Sequence, residues 1–251
     1  MSPNLLILGG TVEASALAKR VASEGIKATL SLAGCVENPK PQPIPVREGG
    51  FGGASGFAHF LSENVFTHVI DATHPFAAQM SRNAVEGCAK AGVPLMALTR
   101  APWIAKSGDR WTHTTSIAAA AETLDTKARR VMLAIGRMHL AEFSDAPQHF
   151  YLLRLVDAPT EALPFPNCEV IVDRGPFSLE NDLDLLRRHN IDLIVSKNAG
   201  GTGARAKIDA ARELGIEVLM IKRPELPERP EAHSVDRVMD WLRSHDTDRG
   251  V

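Results

Sequence analysis

The sequence predicts an α/β fold of two mostly parallel sheets, and three observations predict it. Short apolar runs of strand length alternate with helix-length amphipathic stretches along the 251 residues. Glycine-bearing turns directly follow several of the runs, and a break over Arg100 to Arg110 marks a boundary between two such alternations. Strands joined by helical crossovers lie parallel and are covered on both faces, so they read as near-continuous apolar segments, as these do.

Leu5 to Leu8 is the first such run. Gly9, Gly10 and Thr11 follow it, and then a helix-length stretch carries Val12, Ala16, Leu17, Val21 and Ala22 on its apolar side. Gly25 ends that helix, and Ala28 to Leu32 is a second strand at crossover distance. The proline-rich stretch from Asn38 to Pro45 and the segment Gly49, Gly50, Phe51, Gly52, Gly53 can be neither interior strand nor interior helix. With its four glycines the second segment is expected to be mobile and to order over a site when ligands bind. A strand at His68 to Ala72, a helix at Phe76 to Ala91 and a strand at Pro94 to Leu98 complete the first unit. The second half repeats the alternation with a helix at Ser116 to Leu124 and strands at Val131 to Ile135, Phe150 to Leu155 and Glu169 to Val172. A helix at Leu179 to His189, a strand at Ile191 to Ser196, a helix at Ala204 to Leu214, a strand at Glu217 to Ile221 and a helix at Val235 to Arg243 finish it. The expectation is two Rossmann-like domains, residues 1–102 and 103–251, each a mostly parallel sheet flanked by helices, with the active site in the cleft between them.

Composition narrows the function classes. Hydrophobic residues are 44% and charged residues 23%, ordinary globular usage that suggests neither disorder nor a membrane class. No stretch approaches the roughly 18 apolar residues a membrane span needs, and Met1, Ser2, Pro3, Asn4 lack a basic leader start, so a cytoplasmic protein is expected. Cys35, Cys88 and Cys168 are far apart, odd in number and without CxxC spacing, which disfavours disulfides and a thiolate zinc site. A net charge of -2 offers no general field for nucleic acid, so any anion must be bound locally.

Parallel sheets place ligands beyond the C-terminal ends of their strands. Three such places carry chemistry. Gly9, Gly10, Thr11, Val12, Glu13 combine a tight turn with helix-start amides suited to a pyrophosphate, though without the GxGxxG spacing, and an ordinary turn capped by Thr11 reads equally well. Asp71, Ala72, Thr73, His74, Pro75 crowd carboxylate, hydroxyl and imidazole onto one strand end; the alternative is helix capping. A metal is not expected there, because His68 lies at the other end of the strand. Ser196, Lys197, Asn198, Ala199, Gly200, Gly201 set a lysine beside exposed donors suited to phosphate or carboxylate, but in an order unlike GxxxxGK[ST]. Further cations at strand ends or turns are Arg82, Arg100, Arg137, Arg154, Arg174, Arg205 and Lys207. Ser31 to Cys35, after the second strand, holds no acid for a ribose 2′-hydroxyl, which favours NADP over NAD.

These pieces in this order resemble the precorrin-6A reductase family: LGGTVEA at Leu8 to Ala14, GGFGG at Gly49 to Gly53, DATHPFA at Asp71 to Ala77, RAPW at Arg100 to Trp103, GR at Gly136 and Arg137, VDRGPFSLE at Val172 to Glu180, SKNAGGTGARAKIDAARELGI at Ser196 to Ile216, and IKRP at Ile221 to Pro224. The resemblance implies hydride transfer from NADPH to C19 of precorrin-6A, giving precorrin-6B on the way to cobalamin, with no nucleophile needed and so no catalytic side chain assigned. It implies a first domain holding NADPH through Gly9, Gly10, Thr11, Glu13, Ser31, Gly34, Asp71, Thr73, His74 and Pro75. Arg100 together with Arg137, Arg174, Lys197, Asn198, Gly200 and Gly201 of the second domain would hold the acetate and propionate arms of the macrocycle. Hand-over to other corrin-pathway enzymes is a further partnership it leaves open. The chain departs from the family pattern at Cys35, where an arginine often follows the glycine, and at Ala199, where a serine is usual. A redox-sensing NADP(H) module is the competing reading; a small-carbonyl dehydrogenase is disfavoured because the single tyrosine, Tyr151, is followed four positions on by Leu155 and not by lysine.

Overall fold

The computed structural model describes residues 3–34, 40–124, 127–173, 175 and 177–248. They form two compact units, Met1–Arg100 with Glu225–Val251, and Ala101–Pro224. The first opens with β1 (Asn4–Leu8), α1 (Val12–Ser23), β2 (Lys27–Leu32), β3 (Val46–Glu48), α2 (Gly53–Glu63), β4 (His68–Asp71), α3 (Ala78–Ala91) and β5 (Leu95–Leu98). Every residue of β1 is buried, because the pleat sends alternate side chains to opposite faces and both are covered. Leu5 and Ile7 pack with Ala14, Leu17 and Val21 of α1. Leu6 and Leu8 pack with Phe57 and Leu61 of α2 and with Ala84 and Cys88 of α3.

The second unit contains β6 (Arg110–Thr114), α4 (Ile117–Glu122), β7 (Arg130–Ala134), a 3-10 turn (Arg137–Phe143), β8 (Phe150–Leu155), β9 (Cys168–Val172), α5 (Leu179–Arg188), β10 (Leu193–Lys197), α6 (Ala206–Leu214) and β11 (Glu217–Ile221). Its sheet runs β6-β11-β10-β7-β8-β9, and its strands pair in parallel. Met132, Leu152, Ile194 and Val218 form a core with Leu185 and Leu186 of α5 and Ile208 and Ala211 of α6.

The chain then returns to the first unit. β12 (Glu231–Ala232) pairs with β5, and α7 (Val235–Asp248) packs Val238, Met239 and Leu242 into the cluster around α1. The first sheet is thereby completed in the order β12-β5-β4-β1-β2-β3. The sequence-based second domain of residues 103–251 therefore needs correction: its last segment serves the first unit, where the edge of β5 and the α1 side of the sheet offer an apolar seat for it. Three strands were not read from the sequence. β6 (RWTHT) and β3 (VRE) are polar edge strands, and β12 is two residues long, so none carries a core-facing apolar run. Cys88 is buried, Cys168 half-buried, and both are free thiols; Cys35 lies outside the described residues. Among the described residues no helix is long and apolar enough to cross a membrane.

Candidate active site

In the first sheet the chain leaves β1 towards β2 and leaves β4 towards β5, so the ends of the adjacent strands β1 and β4 flank a crevice. Gly9 to Glu13 and Ala72 to Pro75 meet there. Gly10 turns with φ +111°, a conformation that side chains rarely adopt. Thr11 caps α1: its Oγ1 accepts from the amide of Ala14 (3.1 Å) and donates to the carbonyl of Ala72 (2.7 Å). The hydroxyl is thus committed to tying the two strand ends together, and the first-turn amides of Val12 and Glu13, which have no intrahelical acceptor, are left for an anion. Arg100 lies in this unit, half-buried, with Nε 3.5 Å from Glu13 Oε1, while Glu13 Oε2 is buried without a hydrogen-bond partner. Arg100, expected to hold a carboxylate arm of the macrocycle, is thus placed beside Glu13 in the first unit.

Asp71 is a buried knot. Its Oδ1 accepts from the Thr73 amide (3.1 Å) and hydroxyl (2.7 Å), and its Oδ2 from Ser81 Oγ (2.7 Å) and Arg229 Nη1 (2.7 Å). Both charged side chains are nearly sealed from water, 1% exposed for Asp71 and 8% for Arg229. Asp71 therefore shapes the loop and is not free to meet a ligand, which corrects its assignment as a cofactor contact. His74 Nδ1 accepts from the Phe76 amide (3.2 Å), which puts the neutral ring's proton on Nε2. Thr73, His74 and Pro75 are half-buried at the crevice.

At the end of β2, Ser31 is buried and its Oγ accepts from Arg47 Nη1 (2.8 Å), its register partner on β3. Arg47 also donates to the carbonyls of Gly49 (3.0 Å) and Gly50 (3.1 Å) and lies 4.1 Å over the Phe51 ring. Phe51 in turn meets Phe57 edge-on with ring centroids 4.7 Å apart. The glycine-rich segment expected to be mobile is anchored at these points, because an arginine and an aromatic side chain offset the freedom of its glycines. Gly34 is exposed just beyond β2.

In the second sheet the crevice falls between β7 and β10, which lead away to β8 and β11 respectively. Arg137 stands exposed beyond β7, and Lys197 is the last residue of β10, half-buried. Burial pulls the Lys197 pKa below the ordinary lysine value, with Glu142 acting the other way. Beside them Met138 follows β7, Val156 follows β8 and Val172 ends β9, all exposed apolar groups on the same strand-end edge. Three residues assigned to substrate contact are committed internally. Asn198 accepts from the Trp103 amide (2.8 Å) and donates to the Trp103 carbonyl (2.9 Å). The Gly201 carbonyl accepts from Trp103 Nε1 (2.7 Å). A side chain on Gly200, at φ +71°, would run into the Ala101 carbonyl and the Arg223 guanidinium. They brace the loop that presents Lys197. Arg174 lies outside the described residues.

Residues 4–243 match the family described as precorrin-6x reductase CbiJ/CobK. The chain belongs to the precorrin-6x reductase family. It is 53% identical over 248 residues to a precorrin-6A reductase of Rhodobacter capsulatus, covering 98% of this chain and 99% of that one. It is 46% identical to a precorrin-6A reductase of a Sinorhizobium species, over 96% of this chain and 94% of that one. A solved structure of CobK precorrin-6A reductase superposes with a TM-score of 0.93 at 53% identity, over 97% of each chain.

Reduction in this family implies a nicotinamide cofactor, and the first crevice has groups suited to one: helix-start amides as donors to its phosphates, a glycine turn with open space at Gly10, and an unpartnered Glu13 oxygen as an acceptor. Site residues missed by the sequence reading include Arg47, Arg229 and Arg223, which donates to the carbonyls of Asn198 and Ala199 (both 3.0 Å). Arg223 stood inside the IKRP motif, which was the one signal available for it. Behind the second crevice, Arg154 pairs with Asp182, and Lys207, 7% exposed, donates to the Ala204 carbonyl (2.6 Å). Burial first, and then Arg154, push the Lys207 pKa from 10.5 down to about 8, against the pull of Asp182. The folded chain thus holds this proton more weakly than the unfolded chain, so stability rises with pH between about 8 and 10.5. Relative to Lys207→Met, the wild type is expected to gain on the order of 3 kcal/mol in urea unfolding across that window. The comparison must be differential, since Cys88 and Tyr151, both raised to about 12 by burial, lose stability in the same alkaline range in both proteins. A flat difference would show that Lys207 is already neutral or well solvated.

Proposed function

We propose that this protein is an NADPH-dependent reductase that converts precorrin-6A to precorrin-6B by hydride transfer to C19 of the macrocycle, a step of cobalamin synthesis. The observation that carries the reading is the 53% identity to the Rhodobacter capsulatus precorrin-6A reductase along nearly the whole of both chains. In this reading the first unit takes the dinucleotide, with Val12 and Glu13 amides on the pyrophosphate and Thr73 and His74 beside the ribose or nicotinamide. Bound NADPH supplies the hydride, and a proton joins the neighbouring ring carbon. Arg137 and Lys197 hold carboxylate arms while Met138, Val156 and Val172 offer an apolar rim to the ring, a combination suited to a flat macrocycle charged at its periphery. The chain's contribution to rate is alignment, because the reactive hydrogen comes from the cofactor.

The test is to mix purified protein with NADPH and precorrin-6A and follow NADPH absorbance. Consumption is expected only when the tetrapyrrole is present. Binding of NADPH without turnover under those conditions would instead favour a redox-sensing module. A second expectation concerns Gly10: valine there is strained at φ +111° and sets a branched side chain into the pyrophosphate path. Gly10→Val should weaken NADPH binding about tenfold or more, or ~1.4 kcal/mol. Unchanged affinity in a fluorescence titration would remove this turn from the cofactor site.

A further inference from the structure

We propose that Arg47, presented by edge strand β3 and set against Ser31 of β2, is the residue that reads the 2′-phosphate of NADPH and so sets the preference for NADPH over NADH. This rests on the first unit being the cofactor unit, as proposed above. In a sheet of this strand order the residues at the end of the second strand face the adenosine ribose, where an acid marks NAD and an arginine accommodates the extra phosphate of NADP. Here the end of β2 holds Ser31, and the cation comes from the neighbouring strand, in register opposite it.

The bonding of Arg47 points to an anion. Among the described residues its partners are all neutral: the Ser31 hydroxyl and the carbonyls of Gly49 and Gly50. Two of its N–H groups are taken at Nη1 and one at Nη2, which leaves the second Nη2 proton and Nε as donors. Ser31, accepting from Arg47, still has its hydroxyl proton to give. The guanidinium is held in plane by Phe51 at 4.1 Å and Phe60 at 4.9 Å, so its fork is preorganised and little ordering is needed on binding. Partial burial lowers the Arg47 pKa from its ordinary value, as expected for a cation with no counter-charge among the described residues.

The experiment titrates NADPH and NADH, by fluorescence or calorimetry, against wild type, Arg47→Gln and Arg47→Lys. Glutamine keeps an amide donor for the glycine carbonyls, so the loop stays braced while the charge is lost; lysine keeps the charge without the fork. Wild type should bind NADPH much more tightly than NADH. Arg47→Gln should lose about 10- to 150-fold in NADPH affinity, the range for one charge-assisted contact, with NADH affinity within about twofold of wild type. Arg47→Lys should fall between the two. Equal losses for both nucleotides would make Arg47 a loop brace and overturn the proposal, as would a wild type that binds NADH as well as NADPH. In either outcome the cofactor reading of the first unit stands. A wild type that binds neither nucleotide would overturn that reading and this proposal with it.

Discussion

Arg229→Ala is expected to lower the unfolding free energy by about 3–5 kcal/mol, a large share of the roughly 5–15 kcal/mol that holds a typical protein together. The size follows from burial. Asp71 and Arg229 are both nearly inaccessible to water, and removing the guanidinium leaves a carboxylate in the core with only Thr73 and Ser81 to bond it. Charges on the surface behave differently, since an exposed pair contributes about 0–1 kcal/mol. Urea unfolding of the variant measures the loss, and a change below about 1 kcal/mol would show that the site admits water. The double variant Asp71→Asn with Arg229→Met should recover much of the loss, because no uncompensated charge remains. Since Asp71 also bonds Thr73, the single variant should loosen the crevice loop and weaken cofactor binding as well.

Lys197→Ala and Arg137→Ala are each expected to cut kcat/KM for the tetrapyrrole while leaving NADPH affinity nearly intact. A charge-assisted hydrogen bond contributes about 1.5–3 kcal/mol, or roughly 10- to 150-fold. Lys197 should sit at the upper end, because it is half-buried and braced by the Asn198 to Gly201 loop. Arg137 is exposed, so salt should screen its contact and its loss should be smaller and shrink with ionic strength. Both ligands should be measured on the same variants. If NADPH binding collapses and tetrapyrrole binding survives, the roles proposed for the two units are reversed.

The sequence by itself determined the parallel α/β architecture and the positions of the strand-end loops, because strand length, amphipathic period and turn chemistry are local properties of the chain. Leu5 to Leu8 followed by Gly9 and Gly10, or Ile191 to Ser196 followed by Lys197 and the glycines, announce a strand and the turn above it without reference to anything distant. What each polar residue in those loops bonds to was decided only by the tertiary structure. Asp71 and Asn198 were plausible ligand contacts in sequence. Their partners, Arg229 and Trp103, stand 158 and 95 residues away and reach them only after the sheets have closed. The same applies to the last segment, which returns to the first unit through a two-residue strand too short to carry a pattern, and to Arg47, on a polar edge strand whose one informative property is its register with Ser31. Periodicity reports which face of an element is buried, whereas the satisfaction of a buried charge depends on which distant element the sheet order brings beside it.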